Sequence, residues 1–358
     1  MSGARGAART LARRAVRRVL SPDPPRRVPR LRAEPVASQR PRTAWVLAPD
    51  WDRPSGGVRK LYRTVDVLTA SGVGAAVVHR RRGFRCTWFP NDTRVVGVRD
   101  VVVEPGDVLV APEIYGPSIR ELPRGVPRVV LDQNVFVTLE SLARHGRAAV
   151  APYLDDPDLL AVAVVSEHNR ELAEYLVPGA PVRRIRWAVD PEIWHPPPAP
   201  PPRRVAYLSR RRAEEAAEVL AVLRLRGALA GWEVVTVADR TEAEVADLLR
   251  GCAVLLSFSR REGLGLPPLE ALASGCRVVG FDGFAGREFF DPPHAVRVED
   301  GDVGAFARAA EGVLAEVAAD PGAAWRAGRD HSASLTARYS ADAERADLLA
   351  LLPPGLAP

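Results

Sequence analysis

The stretch REGLGLPPLEALASGC, Arg261 to Cys276, sets Glu262 and Glu270 on either side of a glycine-rich turn that enters a short apolar helix. Packing asks for neither carboxylate, and a helix start asks for only one. An ionised carboxylate that accepts from two vicinal hydroxyls is a strong, directional anchor. Gly263 and Gly265 let the backbone turn and bring its N–H groups close to a ligand. Pro267 and Pro268 suit the first turn of a helix, and Gly275 suits its stop. Such a helix directs the partial positive charge of its N-terminus over the glycines, and Glu270 faces the same crevice about one pitch along. Paired hydroxyls next to a diphosphate, with charge building on a departing phosphate, are what a nucleotide-sugar presents. Backbone N–H groups, helix N-termini and arginines meet those needs without a metal.

The elements that carry this stretch alternate along the chain. Short apolar runs at Thr43–Ala48, Ala75–His79, Asp107–Ala111, Arg128–Leu131, Ala161–Ser166 and Val182–Ala188 read as buried parallel strands. Helices are predicted at Val58–Ala70 and Asn169–Leu176. PPPAPPP, Pro196 to Pro202, continues neither a helix nor a central strand and reads as a stiff connector. Alternation then restarts, with strands at Val205–Leu208, Trp232–Ala238, Ala253–Phe258 and Arg277–Phe281. Helices at Ala213–Leu229, Glu242–Arg250 and Pro267–Ser274 lie between them. The pattern predicts an α/β protein of two Rossmann-like domains with parallel sheets, and ligands in the crevices outside the strands' carboxyl ends. The expected limits are 1–41 for a basic tail, 42–195 and 203–335 for the domains, 196–202 for the hinge, and 336–352 for a final helix crossing back.

Here the chain resembles a known family. Glu262 and Glu270, in an E-x7-E relation within EGLGLPPLEALASGC, resemble the signature of retaining GT-B glycosyltransferases of the GT4 type. VSEHNRELAEYL with IRWAVDPEIWHP, GFAGREFF ending near Glu288, and Arg338-Tyr-Ser-Ala341 are similar to further segments of that family. Ser55-Gly56-Gly57, opening a helix, looks like its N-terminal glycine loop. The resemblance implies that Glu262 contacts the donor sugar where the anomeric carbon reacts, and that Glu270 accepts from ribose hydroxyls. The N–H groups of Gly263, Leu264, Gly265 and Leu266 would hold sugar and phosphate, with Gly56 and Gly57 also at the donor. The family places an arginine and a lysine on the diphosphate. This chain has Arg210, Arg211 and Arg212 there, and Glu214 and Glu215 at the lysine's place. Arginine forks serve the same purpose bidentately. Gln133 and Asn134 stand where the family often has an acceptor-side histidine. The resemblance implies a retaining transferase, with a nucleotide-diphosphate-sugar as co-substrate, no metal, and a glycan, glycolipid or natural-product acceptor. An idle nucleotide-sugar-binding scaffold and a GT-B-type sugar epimerase are the alternatives.

Other chemistries find no support in the sequence. Gly72-Val-Gly74 follows a helix and lacks a third glycine, and no Walker loop, HExxH or GxSxG occurs. Asp50-Trp-Asp52 is a candidate DxD for Mg or Mn, although the restart of alternation after the hinge favours GT-B. Cys86, Cys252 and Cys276 are odd in number and widely spaced, which points to a reducing cytoplasm and against a zinc site. The first twenty residues lack the apolar core of a signal peptide, and no apolar run is long enough to span a bilayer.

Charge is unevenly placed. Residues 1–42 hold twelve arginines against Asp23 and Glu34, a net +10, which leaves the remainder at −4 in a chain of +6. A mildly acidic body argues against nucleic acid as a partner. Leu11, Val16, Val19 and Leu20 share a helical face ringed by arginines, so residues 1–20 suit peripheral contact with an anionic membrane or a disordered tail. The proline-rich stretch to Pro41 is expected to be extended or disordered.

Overall fold

A computed structural model describes residues 27–356 apart from 209–210 and 238–239. Two parallel sheets form its two halves. The first holds β2 (Ala44–Leu47), β3 (Ala75–His79), β4 (Val95–Gly97), β6 (Val108–Pro112), β7 (Arg128–Asp132), β8 (Leu159–Val164) and β9 (Val182–Arg184) in the order β4-β3-β2-β6-β7-β8-β9. The second holds β10 (Arg204–Leu208), β11 (Glu233–Thr236), β12 (Val254–Ser259), β13 (Arg277–Asp282) and β14 (Ala295–Val298) in the order β11-β10-β12-β13-β14. Every residue of β2, β3, β6 and β7 is buried, as continuous apolar runs in a sheet covered on both faces require.

Helices α1 (Gly56–Ala70), α2 (Val135–His145), α3 (Ala151–Leu154) and α4 (Glu167–Leu176) cover the first sheet. Helices α5 (Ala213–Leu225), α6 (Glu242–Arg250), α7 (Leu266–Ala273) and α8 (Val303–Ala319) belong to the second, and α9 (Pro321–Arg338) and α10 (Ala341–Leu349) follow. Their starts are capped by side chains that satisfy orphan N–H groups. Ser55 accepts from Val58 N, Asn134 from Phe136 N and Ser166 from Asn169 N, and Thr241 and Glu244 form a capping box.

In each sheet the chain lays down a central strand, moves to one side, then returns to the other. The points of reversal lie between β2 and β6 and between β10 and β12. The loop that opens α1 and the loops after β10 and β12 therefore come from strands at these switch points. Leu208 pairs with Ser257 at the ends of β10 and β12, which sets Arg211 beside the Glu262 loop.

Several boundaries differ from expectation, among them that of the final helix, which runs Ala341–Leu349. Residues 27–41, expected to be extended or disordered, pack on the first half of the molecule. Arg32–Ala33 (β1) pairs with Val102–Val103 (β5), Val28 is buried, and Ser38 and Arg40 bind the buried carboxylates of Glu104 and Asp107. The amphipathic stretch at residues 1–20 lies outside the described residues. The strand expected to reach Ala188 ends at Arg184, because Arg186 N leaves the sheet to donate to Asp347 on α10. The helix expected to reach Leu229 ends at Leu225, before Gly227 at φ 76°.

The final helix docks on the first sheet's side of the molecule. Glu344 of α10 is fully buried between Lys60 and Arg63 of α1, and Val189 N donates to Tyr339 O at 2.8 Å. The proline connector rests on α9, where Trp325 Nε1 donates to Pro197 O at 3.0 Å.

Candidate active site between the sheets

Strand β12 releases the chain at Ser259, and Arg261 takes φ 49°, a conformation rare outside glycine. Glu262 N then donates to Gly283 O at 3.0 Å, and Arg211 Nη1 donates to Glu262 Oε1 at 3.1 Å. Gly283 makes room for this carboxylate, since a Cβ there would stand 2.9 Å from Glu262 Cγ. Gly265 caps α7 in the left-handed conformation at φ 88°, which only glycine adopts without cost. Leu264 and Leu266 turn their side chains into the shared core, so only their backbone remains for a ligand.

The opposite sheet meets this loop directly. A Cβ on Gly263 would lie 1.7 Å from Gln133 O, so only glycine permits the approach. Asn134 Nδ2 donates to Arg261 O and Asn169 Nδ2 to Gly263 O, both at 3.0 Å. On the same side, a Cβ on Gly56 would lie 3.1 Å from Leu266 Cδ1. The N-termini of α1 and α7 therefore lie close together. Gly57 sits against the Gln133 side chain. Gln133 and Asn134, the expected acceptor-side residues, lie against the glycine loop.

Glu270 is buried, with 9% of its surface exposed. Arg59 Nη2, from α1 of the other half, donates to Glu270 Oε1 at 3.1 Å, and Arg59 also pairs with Glu242 at the start of α6. Burial pushes the Glu270 carboxyl above the usual carboxylate range, with Arg59 pulling it back and Glu242 adding to the rise.

The arginine cluster divides. Arg210 lies outside the described residues. Arg212 is turned away from the Glu262 loop. It is buried over the Phe281 ring and bonded to both Glu215 and Asp300. Arg211 remains at the site.

Sequence reasoning missed several residues. Arg59 and Glu242 carried no signal beyond their charge. Glu288, quoted only as a motif end, accepts from Glu167 N, Arg184 and the Tyr339 hydroxyl, tying both halves to the C-terminal segment. Phe284, at φ 71°, stacks on His168 with centroids 5.6 Å apart, and Phe136 lies 5.8 Å from the same imidazole. Burial lowers the His168 pKa, and Arg287 adds to the lowering. The DxD candidate has other work. Asp50 accepts from the Arg80 and Arg81 N–H groups and pairs with His79, while Asp52 accepts from Thr87. Among the described residues no group of three or more His, Cys, Asp or Glu is placed to hold a metal ion.

Comparison with known proteins bears on the same region. The family described as Glycosyl transferases group 1 matches residues 212–316, which include the glycine loop and both glutamates. Residues 212–316 thus resemble a group 1 glycosyltransferase domain. An alpha-1,6-glucosyltransferase of Actinobacillus pleuropneumoniae serotype 7 (strain AP76) is 48% identical over 50 residues, 14% of this chain and 15% of that protein. The chain thus matches only a small part of that relative's length. Sucrose-phosphate synthase from Thermosynechococcus elongatus superposes with a TM-score of 0.64 at 15% identity, covering 87% of this chain and 98% of that one. HepE of Anabaena, solved with UDP and glucose, gives 0.61 at 12% identity and covers 87% and 99%. The two-sheet architecture is the GT-B fold.

Proposed function

We propose that this protein is a group 1 glycosyltransferase that transfers a sugar from a nucleotide-diphosphate donor to a carbohydrate or lipid-linked acceptor, with retention of anomeric configuration. The observation that carries the reading is the meeting of two helix N-termini. Gly56 of α1 abuts Leu266 of α7, with Arg211 close by and Glu262 and Glu270 on the same loop and helix. Two neighbouring helix N-termini and the Arg211 guanidinium suit a diphosphate, and two carboxylates suit the hydroxyls on either side of it. The UDP and glucose of the HepE structure support a donor of this class.

In this reading Glu270 accepts from the ribose and Glu262 from the donor sugar near its reacting carbon. The glycine-loop N–H groups and Arg211 stabilise charge as it builds on the departing diphosphate. The acceptor attacks from the face the diphosphate leaves, and its proton passes to a diphosphate oxygen, so no protein nucleophile is invoked. Closure of Gly263 on Gln133 excludes water from the reacting atoms. The cations come from the protein, so we propose turnover without a metal in a cytoplasmic protein. Among the described residues no helix is long and apolar enough to cross a membrane.

The test is a thermal-shift screen of nucleotide-sugars, followed by transfer assays with the donor that stabilises most. Glu262→Ala should lower turnover by at least about 100-fold with the melting temperature intact. Glu270→Ala should mainly weaken donor binding. Full activity in both variants refutes the assignment, and inhibition by a chelator refutes the metal-free step.

A further inference from the structure

Arg59 begins in one half of the molecule and ends in the other. Its backbone lies in the first turn of α1, yet its guanidinium reaches two carboxylates of the opposite half, Glu270 on α7 and Glu242 on α6. The three side chains are largely enclosed, with exposures of 20%, 12% and 26% for Arg59, Glu270 and Glu242. Glu242 and Glu270 repel one another, and Arg59 lies between them as their shared counter-ion. Lys60, the next residue, points away to Ala188 O and Glu344 and takes no hydrogen bond here.

This arrangement conflicts with a donor unless it can change. On the reading of Glu270 as the ribose anchor, the vicinal hydroxyls need the carboxylate that Arg59 engages. A carboxylate offers about four acceptor positions, but a guanidinium on Oε1 takes one of them at short range and blocks the approach along that side. Glu242 offers Arg59 somewhere to remain. It is more exposed than Glu270, heads its helix, and also belongs to the half that would hold the donor.

We propose that Arg59 is a positioning residue that locks the cleft and exchanges partners when the donor enters. In the donor-free protein it bridges Glu270 and Glu242. Ribose hydroxyls displace it from Glu270, and it stays on Glu242, keeping the two halves together over the bound nucleotide. The exchange needs no proton or covalent step.

Two variants should then shift nucleotide affinity in opposite directions, which simple loss of structure would not do. Calorimetric titration of the full chain with uridine, guanosine and adenosine diphosphates is the measurement. Arg59→Ala removes the competitor and should tighten the bound diphosphate about tenfold, equivalent to about 1.4 kcal/mol. Glu242→Gln confines Arg59 to Glu270 and should weaken it several-fold. Unchanged or weaker binding in Arg59→Ala overturns the lock. Loss of binding in Glu270→Ala tests the ribose reading separately. Should no diphosphate bind the wild type, the ribose reading fails, and hydrogen exchange on the ligand-free protein decides the lock. The amides of residues 263–266 should then exchange about tenfold faster in Arg59→Ala. Equal exchange rates overturn it.

Discussion

A single hydrogen atom at Gly263 decides whether the two halves can meet. Any side chain there would collide with the Gln133 carbonyl, a backbone group that cannot turn aside. Gly263→Ala should therefore prop the cleft open. The expected result is a stability loss of roughly 1–3 kcal/mol, the usual range for overpacking, with transfer reduced at least about tenfold. Denaturant unfolding and an activity assay together check this, and wild-type turnover would show that closure on Gln133 is dispensable. The sequence offered Gly263 as a close-approach glycine, but with a ligand as the expected neighbour. That the neighbour is the other half's backbone depends on how two sheets meet, which no local pattern encodes. Glu262 and Glu270 were legible because their spacing is local. Arg59 and Glu242 were not, because 183 residues separate them.

At the scale of the element, the loop from β10 into α5 shows how neighbouring arginines diverge. Arg212 stands at the helix start, where its side chain is drawn under the sheet's edge onto Phe281 and Asp300. Arg211, one residue earlier, is half exposed and reaches Glu262. Arg212→Ala should lower stability by about 1–2 kcal/mol through lost cation–π and packing contacts, with nucleotide affinity unchanged. Arg211→Ala should weaken nucleotide binding at least several-fold with stability nearly unchanged. Thermal unfolding and calorimetry on the two variants separate these outcomes, and the reverse pattern would restore Arg212 to the phosphate site. Strong alternation made the elements readable, with the limits of β3 and α6 as expected. The short edge strands β4 and β14 escaped notice. At three and four residues, with partly exposed positions, they lack the continuous apolar run that marks a central strand.

Across the whole molecule, the C-terminal helices back the candidate site from behind. Helix α9 lies so close to the end of α7 that a Cβ on Gly328 would stand 2.3 Å from Gly275 O, and the Ser332 hydroxyl donates to Ala273 O. On the same helix His331 stacks on His294, ahead of β14, with ring centroids 4.3 Å apart. Burial lowers the pKa of both imidazoles, and the proximity of His294 helps bring His331 down to about 4. Asp291 and Asp330 favour the charged rings, whereas Arg277 and Arg338 oppose them. The folded state therefore prefers neutral rings, and below pH 6.5, their ordinary value, the unfolded chain binds more protons. Stability from this pair is fully present above about pH 6.5 and is lost as the pH falls toward 4. For His331, whose ring is only half-buried, solvent screening limits the loss to about 1 kcal/mol. Denaturant unfolding at pH 7.5 and pH 5 should show the wild type losing this increment and His331→Gln retaining most of it. Because α9 seats the end of α7, nucleotide affinity should weaken over the same interval in the wild type and less in the variant. Parallel pH profiles for the two proteins would mean that the paired imidazoles do not govern how α9 supports the glycine-loop helix.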